Sequence, residues 1–370
     1  MPDEDTSQHE AWLLLSLSGL TPRRQRDLLE HLGPPDAILG ADNKRLQAVE
    51  GITAAHVRKI REAQAEIDLA RIRQTLDELH VHLVPITDER YPKLLRETDD
   101  PSALLYVRGE LTSRDELAVA MVGTRRCSPY GEQVAGRLAG ELARRGFTIV
   151  SGLAVGIDAH AHRGALEAGG RTIGVLACGI DVNYPSAHAE LRDEMTASGA
   201  VITELAPGTP PTRDRFPQRN RILSGLSLGT VVVEAPAKSG ALITARLAAE
   251  QGREVFAVPG NVTSPVSRGC HDLLREGACL VETAEDVVEG LGIMLEAVPE
   301  REPAAERERK LDELPADQRQ VLEALSHQPR NIDDVTAECD LPASQVSSAL
   351  MLLEVKGLVK RFPGNQFVRT

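Results

Sequence analysis

Between residues 117 and 281 the chain alternates short, nearly unbroken apolar runs with longer segments whose apolar positions recur at helical spacing. The runs are 117–122 (LAVAMV), 147–151 (FTIVS), 172–177 (TIGVLA), 200–203 (AVIT), 230–234 (TVVVE), 254–258 (EVFAV) and 278–281 (ACLV). They are short and rich in β-branched residues, which predicts strands covered on both faces. Strand and helix in alternation predict an α/β fold, a doubly wound and mostly parallel sheet that binds its ligand at the carboxyl ends of the strands. Two further runs, 81–86 and 103–108, extend one edge. Residues 8–80 read as helices throughout, from Trp12-Leu-Leu-Leu15 to the periodic stretch 56–80. Residues 296–314 are proline-broken and charge-dense, the pattern of a linker. The last segment, 315–370, predicts helices at 316–325, 331–338 and 342–356 and then a wing over 359–369, hence a winged helix. The expected organisation is a helical domain (8–80), an α/β domain (81–295), a linker (296–314) and a winged-helix domain (315–370).

Charge sharpens this picture at one place. The chain carries 42 basic and 55 acidic residues, a net charge of −13. General adhesion to nucleic acid or to an anionic membrane is therefore excluded, and any such site must be a local patch. Arg213-Asp-Arg-Phe-Pro-Gln-Arg-Asn-Arg221 is one, with four arginines against a single acid. Arginine forks match phosphate, and Phe216 offers a base a face to stack on. The competing reading is a solvated loop whose arginines pair with nearby carboxylates.

The five cysteines are scattered without a C-x-x-C pair, which argues against zinc ribbons and redox motifs and fits a reducing cytosol. The N-terminus lacks a basic signal-peptide region, and no apolar run approaches the ~18 residues of a membrane span. The expected location is the cytoplasm.

Polar, glycine-rich segments follow the predicted strands: Gly123-Thr-Arg-Arg-Cys-Ser-Pro-Tyr-Gly131, Ser151-Gly-Leu-Ala-Val-Gly-Ile-Asp158, Glu234 to Thr244, and Pro259-Gly-Asn-Val. Glycines let a backbone approach an anion, and helix N-termini offer it free N–H groups, so these loops predict a phosphate-binding rim. The G-x-G-x-x-G and Walker patterns are absent. Lys238-Ser-Gly240 is like one motif of serine acyltransferases, but the S-x-x-K nucleophile motif is missing. Asp158, His160 and His162 have the look of metal ligands. On a helix, however, side chains two positions apart point about 200° apart, so a helix-capping role for Asp158 is favoured and no metal is expected. Glu204 and Glu234 at strand ends lack an identifiable acid–base partner.

Together these motifs, in this order, resemble the DNA-processing protein A family (DprA, also called Smf). The resemblance rests on Gly123-Thr-Arg125 with Tyr130-Gly131, Ser151 to Asp158, Gly164-Ala-Leu166, Gly179-Ile-Asp181 with Tyr184-Pro185, and Phe216-Pro-x-Arg-Asn-Arg221. It continues through Lys238-Ser-Gly240, Arg253 with Val258-Pro-Gly260, and Gly269-Cys270 with Gly277-Ala278. It spans about 115–282. It implies an extended Rossmann domain that binds and protects single-stranded DNA and helps load the RecA recombinase in natural transformation and homologous recombination. No catalysis and no cofactor are implied. A homodimer through the later sheet edge, around 270–282, is also implied.

Carried over by motif, Arg125 holds a phosphate, with donors from Gly123 and Thr124. Phe216 stacks on bases, Arg213 contacts phosphate and Asn220 hydrogen-bonds a nucleotide. Lys238, Ser239, Gly240, Leu242 and Thr244 form the facing wall. Arg219 and Arg221 join the site, or serve instead as struts to Glu204 or Glu234. Arg126 departs from the pattern as a second consecutive arginine.

The flanks say less. Leu46-Gln-Ala-Val-Glu-Gly51-Ile-Thr resembles a helix-hairpin-helix turn, but Thr53 replaces its second glycine and Glu50 is unfavourable beside DNA, so the N-terminal domain is expected to be a sterile-alpha-motif-like or hairpin bundle with a packing or protein-contact role. The predicted recognition helix, 342–356, has no arginine, its one lysine, Lys356, is offset by the acid Glu354, and only Gln345 suits base reading. Lys360, Arg361 and Arg369 of the wing are candidate phosphate contacts. A protein-contact or regulatory role is favoured for this segment. Two rival functions remain open: a Rossmann nucleotide hydrolase like the phosphoribohydrolases, whose P-G-G-x-G-T motif is missing, and a ligand-sensing winged-helix regulator.

Overall fold

The computed structural model describes residues 4–293, 314–325, 330–339, 341–355, 359–362 and 366–369. The chain forms two compact units, Met1–Arg301 and Glu302–Thr370.

The first unit opens with six helices: α1 (Glu4–Leu17), α2 (Pro22–Leu32), α3 (Pro35–Gly40), α4 (Asn43–Ala48), α5 (Ala54–Glu66) and α6 (Leu69–Glu78). Thr21, Asp42, Thr53 and Asp68 each cap the following helix by accepting a backbone N–H. Leu15, Leu28, Ile38, Leu46 and Ile60 form the bundle's own core. Trp12, Leu13 and Leu76 instead join Tyr106, Val201 and Met195 against the sheet. The Glu50–Gly51 turn, read as a hairpin resembling a DNA-binding one, lies against Arg24, which donates to the Glu50 carbonyl at 3.3 Å.

There follow β1 (Val81–Pro85), α7 (Lys93–Arg96), β2 (Leu104–Gly109), β3 (Ala118–Val122), α8 (Pro129–Arg144), β4 (Thr148–Ser151), α9 (Ile157–Glu167) and β5 (Thr172–Val175). Next come α10 (Ala189–Ser198), β6 (Ala200–Thr203), α11 (Arg215–Gly225), β7 (Gly229–Val232), α12 (Gly240–Glu250), β8 (Glu254–Ala257), α13 (Arg268–Arg275), β9 (Cys279–Leu280) and α14 (Ala284–Gly290). The strands build one nine-stranded sheet of order β1-β2-β6-β5-β4-β3-β7-β8-β9. From β6 to β9 every pairing is parallel, while β1–β2 and β2–β6 are antiparallel.

All nine expected strands form within two residues of their predicted edges. The double winding is visible within β3. Ala118 and Val122 join the core under α11, α12 and α13, whereas Val119 and Met121 join the core under α8, α9 and α14. Alternate residues of one strand thus feed opposite faces, and neither face is left to water.

The second unit contains α15 (Ala316–Glu323), β10 (Arg330–Asn331), α16 (Ile332–Glu338), α17 (Ala343–Val355), β11 (Val359–Phe362) and β12 (Gln366–Arg369). Its three strands pair antiparallel in the order β10-β12-β11. Val321, Val335, Val346, Leu350, Leu353 and Phe367 fill its core. This is the expected winged helix. Lys356 and residues 296–313 of the proposed linker lie outside the described residues, as do the side chains of Glu354, Lys360, Arg361 and Arg369.

Candidate nucleic-acid interface

The strand order reverses at β3. The chain lays β4, β5 and β6 successively to one side of it, then crosses through α11 to place β7 on the other. The loops after β3 and β7 therefore diverge, and a crevice opens at the carboxyl ends of the strands. A cleft of about 500 Å³ lies there. Of the residues expected to form a site, Gly123, Thr124, Arg125, Arg213, Phe216, Arg219, Asn220, Lys238, Ser239, Gly240 and Thr244 all line it. The expected set missed Asp158, an acid in the floor, and Val122, Ala154, Pro217, Leu223, Pro236 and Ala241, apolar or small residues that carry no chemical signature.

Two expected members lie elsewhere. Arg221 turns away to bind Glu204, with Nη1 donating to the Asp100 carbonyl at 2.6 Å. Leu242 is partly buried and packs against the edge of the core. The reason is helical geometry. From Arg215 onward the arginine-rich stretch is the first turns of α11, not a loop, and a residue five places beyond Phe216 points about 140° away from it. Leu242 stands on the flank of α12, beside the face of Ala241, Thr244, Ala245 and Ala248 that is buried.

The 123–128 loop is fixed from beneath. Thr124 N–H donates to the Glu234 carbonyl at 2.7 Å, and the Thr124 carbonyl accepts from Ile157 N–H at 3.3 Å. Gly156, at φ 85°, is the residue before α9, and a Cβ there would strike the Thr124 carbonyl oxygen. The Glu234 carboxylate is buried and accepts from Ser128 N–H at 2.8 Å and Ser128 Oγ at 2.6 Å. Ser128 in turn caps α8. Glu204 accepts from Ser102 Oγ at 2.7 Å as well as from Arg221. Both strand-end glutamates are thus braces.

Arg219 forms the floor. It is buried, and it donates to the carbonyls of Gly152 (2.7 Å) and Val175 and to Asn220 Oδ1 (3.3 Å). Burial lowers its pKa to about 10, and the charge of Asp158 opposes that shift, so it stays cationic at neutral pH. Asp158 accepts from the N–H groups of Gly152 and Ala154 at 3.1 and 3.3 Å, while burial raises its pKa. It is not the helix cap expected of it. Gly156 takes that position, and Asp158 reaches back from the first turn to hold the preceding loop. Asn220 Nδ2 donates to the Gly240 carbonyl at 3.4 Å, joining α11 to the start of α12.

The cleft mouth is cationic and aromatic. The Arg125 guanidinium lies over the Phe216 ring, 4.6 Å from its centroid. Tyr184 approaches the same ring with centroids 5.9 Å apart. Arg213 and Lys238 are exposed and make no ion pair or hydrogen bond among the described residues. Ser239 caps α12, whose N-terminal N–H groups open on the cleft. This arrangement attracts an anion that also carries a flat apolar ring.

Asp158, His160 and His162 do not converge. His162 is fully buried with Nδ1 2.6 Å from Thr172 Oγ1, whereas His160 Nε2 faces Glu132 Oε1 at 3.7 Å.

Residues 82–292 match the family described as DNA recombination-mediator protein A, and residues 303–365 match the DprA winged helix domain. Protein Smf of Escherichia coli is 38% identical over 290 residues, 78% of each chain. DNA processing protein DprA of Bacillus subtilis is 43% identical over 224 residues, 60% of this chain and 75% of that one. The X-ray structure of DNA processing protein A from Streptococcus pneumoniae superposes with a TM-score of 0.67 at 36% identity, covering 75% of this chain and 95% of that one. The Helicobacter pylori protein, described for its unique single-stranded DNA binding mode, gives a TM-score of 0.52 at 31% identity over 58% of this chain and 96% of that one.

Proposed function

The chain belongs to the DNA recombination-mediator protein A family, and from that premise we propose that its cleft binds single-stranded DNA of any sequence, without catalysis. One observation carries the reading. In a chain of net charge −13, Arg125, Arg213 and Lys238, which have no carboxylate partner among the described residues, gather around one half-buried phenylalanine. The cations neutralise phosphates and release counterions. Phe216 supplies sequence-tolerant stacking. Duplex DNA offers the same phosphates but keeps its bases stacked on one another, so single strands are preferred.

The non-catalytic reading is supported by the two glutamates, whose carboxylates are committed to Ser128, Ser102 and Arg221. Protection of the strand and its delivery to the RecA recombinase, homodimer formation and a cytoplasmic location complete the proposal. Among the described residues no helix is long and apolar enough to cross a membrane. The helical segment 8–80 and the winged helix are proposed as protein-contact modules. In support, α17 exposes Met351 and Leu352 and, within the expected recognition helix, offers only Gln345 for base edges.

The test is fluorescence anisotropy with a mixed-sequence single strand and its duplex across a salt series. Preference for the single strand, with affinity falling as salt rises, sustains the reading. Preference for duplex refutes it. Release of free base from nucleoside monophosphates would favour the hydrolase alternative.

A further inference from the structure

Cys127, Glu132 and His160 come from three separate elements: the loop after β3, the first turn of α8 and the body of α9. None belongs to the motifs that carry the family resemblance. One sulfur, one carboxylate oxygen and one imidazole nitrogen all lie within 4.8 Å of one another. Cys127 Sγ is 3.9 Å and His160 Nε2 is 3.7 Å from the same atom, Glu132 Oε1.

The His160–Glu132 separation is long for a hydrogen bond, where a nitrogen–oxygen contact beyond about 3.5 Å gives little, and the Cys127 thiol makes only a weak, long hydrogen bond to Glu132 Oε1. They suit a shared cation. Ligands held about 2.0–2.3 Å from a tetrahedral zinc ion stand roughly 3.4–3.6 Å apart. Side-chain shifts of less than about 1 Å would close the set around one ion. We propose that Cys127, Glu132 and His160 bind a divalent cation of the zinc class, with water in the fourth position.

The chemistry fits the geometry. Thiolate and imidazole select zinc-like ions over magnesium or calcium. The thiol loses one proton on binding, and the resulting thiolate and carboxylate carry two negative charges that balance the ion. Cys127 and His160 are half-buried and Glu132 is exposed, so water and ion can enter. The bound ion would tie the 123–128 loop to α8 and α9, two residues from Arg125. That last consequence alone rests on the DNA-binding reading.

The test is a titration of the full chain with cobalt(II), a spectroscopic stand-in for zinc. A near-ultraviolet thiolate-to-cobalt band saturating at one equivalent, and displaced by zinc, is expected. Cys127→Ser should abolish the band. Glu132→Gln and His160→Asn should each weaken binding by about tenfold or more. Cys279→Ser should leave it unchanged. No band in the wild type, a band that survives Cys127→Ser, or affinity indifferent to His160→Asn would overturn the proposal. The readout is metal absorption, so it stands whether or not the cleft binds DNA.

Discussion

The Arg125 guanidinium covers one face of the Phe216 ring at 4.6 Å from its centroid. The main cation and the main aromatic of the cleft are therefore already in contact before any ligand arrives. An incoming base must displace the arginine from the ring or stack against the ring's remaining surface. The two side chains should consequently not act independently. In a double-mutant cycle on single-strand affinity, Arg125→Ala and Phe216→Ala should deviate from additivity by about 0.5–1 kcal/mol, the scale of an exposed cation–π contact. Strict additivity would show that the contact has no part in binding.

The two substitutions should also differ in salt response. Removing one phosphate contact lowers the slope of log affinity against log salt by about 0.7 for a single strand. Arg125→Ala, Arg213→Ala and Lys238→Ala should each do so. Phe216→Ala should cost about 1–3 kcal/mol with the slope unchanged, because stacking displaces no counterion. An unchanged slope in all three cationic variants would remove the cleft from consideration as the phosphate track.

Arg221, four residues from Pro217 on the same helix, should behave differently from both. Its partners are Glu204 and Asp100, and both members of the Arg221–Glu204 pair are largely buried. Arg221→Ala would leave the Glu204 carboxylate without its cation, a loss on the order of 3 kcal/mol in stability. Thermal unfolding should shift down, while the salt slope of the folded fraction stays that of the wild type. A lower slope with unchanged stability would return Arg221 to the DNA site.

These contrasts mark what was legible in the sequence. The strands were, because a strand covered on both faces admits only apolar residues, and the runs around 119, 149, 173 and 231 had no other reading. The loops were legible because glycine, arginine and lysine after a strand end carry a chemical meaning by themselves. The arginine-rich stretch was readable in composition but not in direction. Composition does not say that Arg213 and Phe216 open on the cleft, that Arg219 sinks beneath it and that Arg221 faces away; the helical period decides that. Tyr184 stood out as part of a motif, yet its approach to Phe216 links a loop to the start of α11 more than thirty positions away in sequence, and only the fold brings them together. Cys127 and His160 were each read apart, since nothing in their spacing announces Glu132 between them.

Gly156 holds the Arg125 loop at a distance. Its φ of 85° disfavours any side chain, and a methyl group there would press on the Thr124 carbonyl. Gly156→Ala should destabilise the protein by about 1 kcal/mol or more and weaken single-strand binding although residue 156 bears no donor side chain. Anisotropy and thermal melts on the same preparation check both. Wild-type affinity in a correctly folded Gly156→Ala protein would mean that the loop tolerates displacement and that its geometry is not what positions Arg125.

His162 is fully buried, and its pKa is pushed down to about 3, first by burial and then by electrostatic repulsion from the neighbouring His188 and Arg219 side chains. The hydrogen bonds explain why. Thr172 Oγ1 donates to the Ile149 carbonyl at 2.7 Å, so it accepts from His162 Nδ1, which must carry the ring proton. Nε2 is buried with no partner among the described residues. A second proton on Nε2 would therefore have no acceptor. Because the folded pKa lies below the unfolded value of 6.5, the contribution is fully present above pH 6.5 and is lost progressively as pH falls toward 3. The loss is about 1.4 kcal/mol per pH unit across that window. His162→Asn keeps a donor for Thr172 and takes up no proton. Its stability deficit at pH 7 should therefore shrink by about 2 kcal/mol by pH 5, measured as the difference between the two denaturant midpoints at each pH. A deficit that stays constant from pH 7 to pH 5 would show that His162 does not gate the acid limb, and that another buried group takes up the proton first.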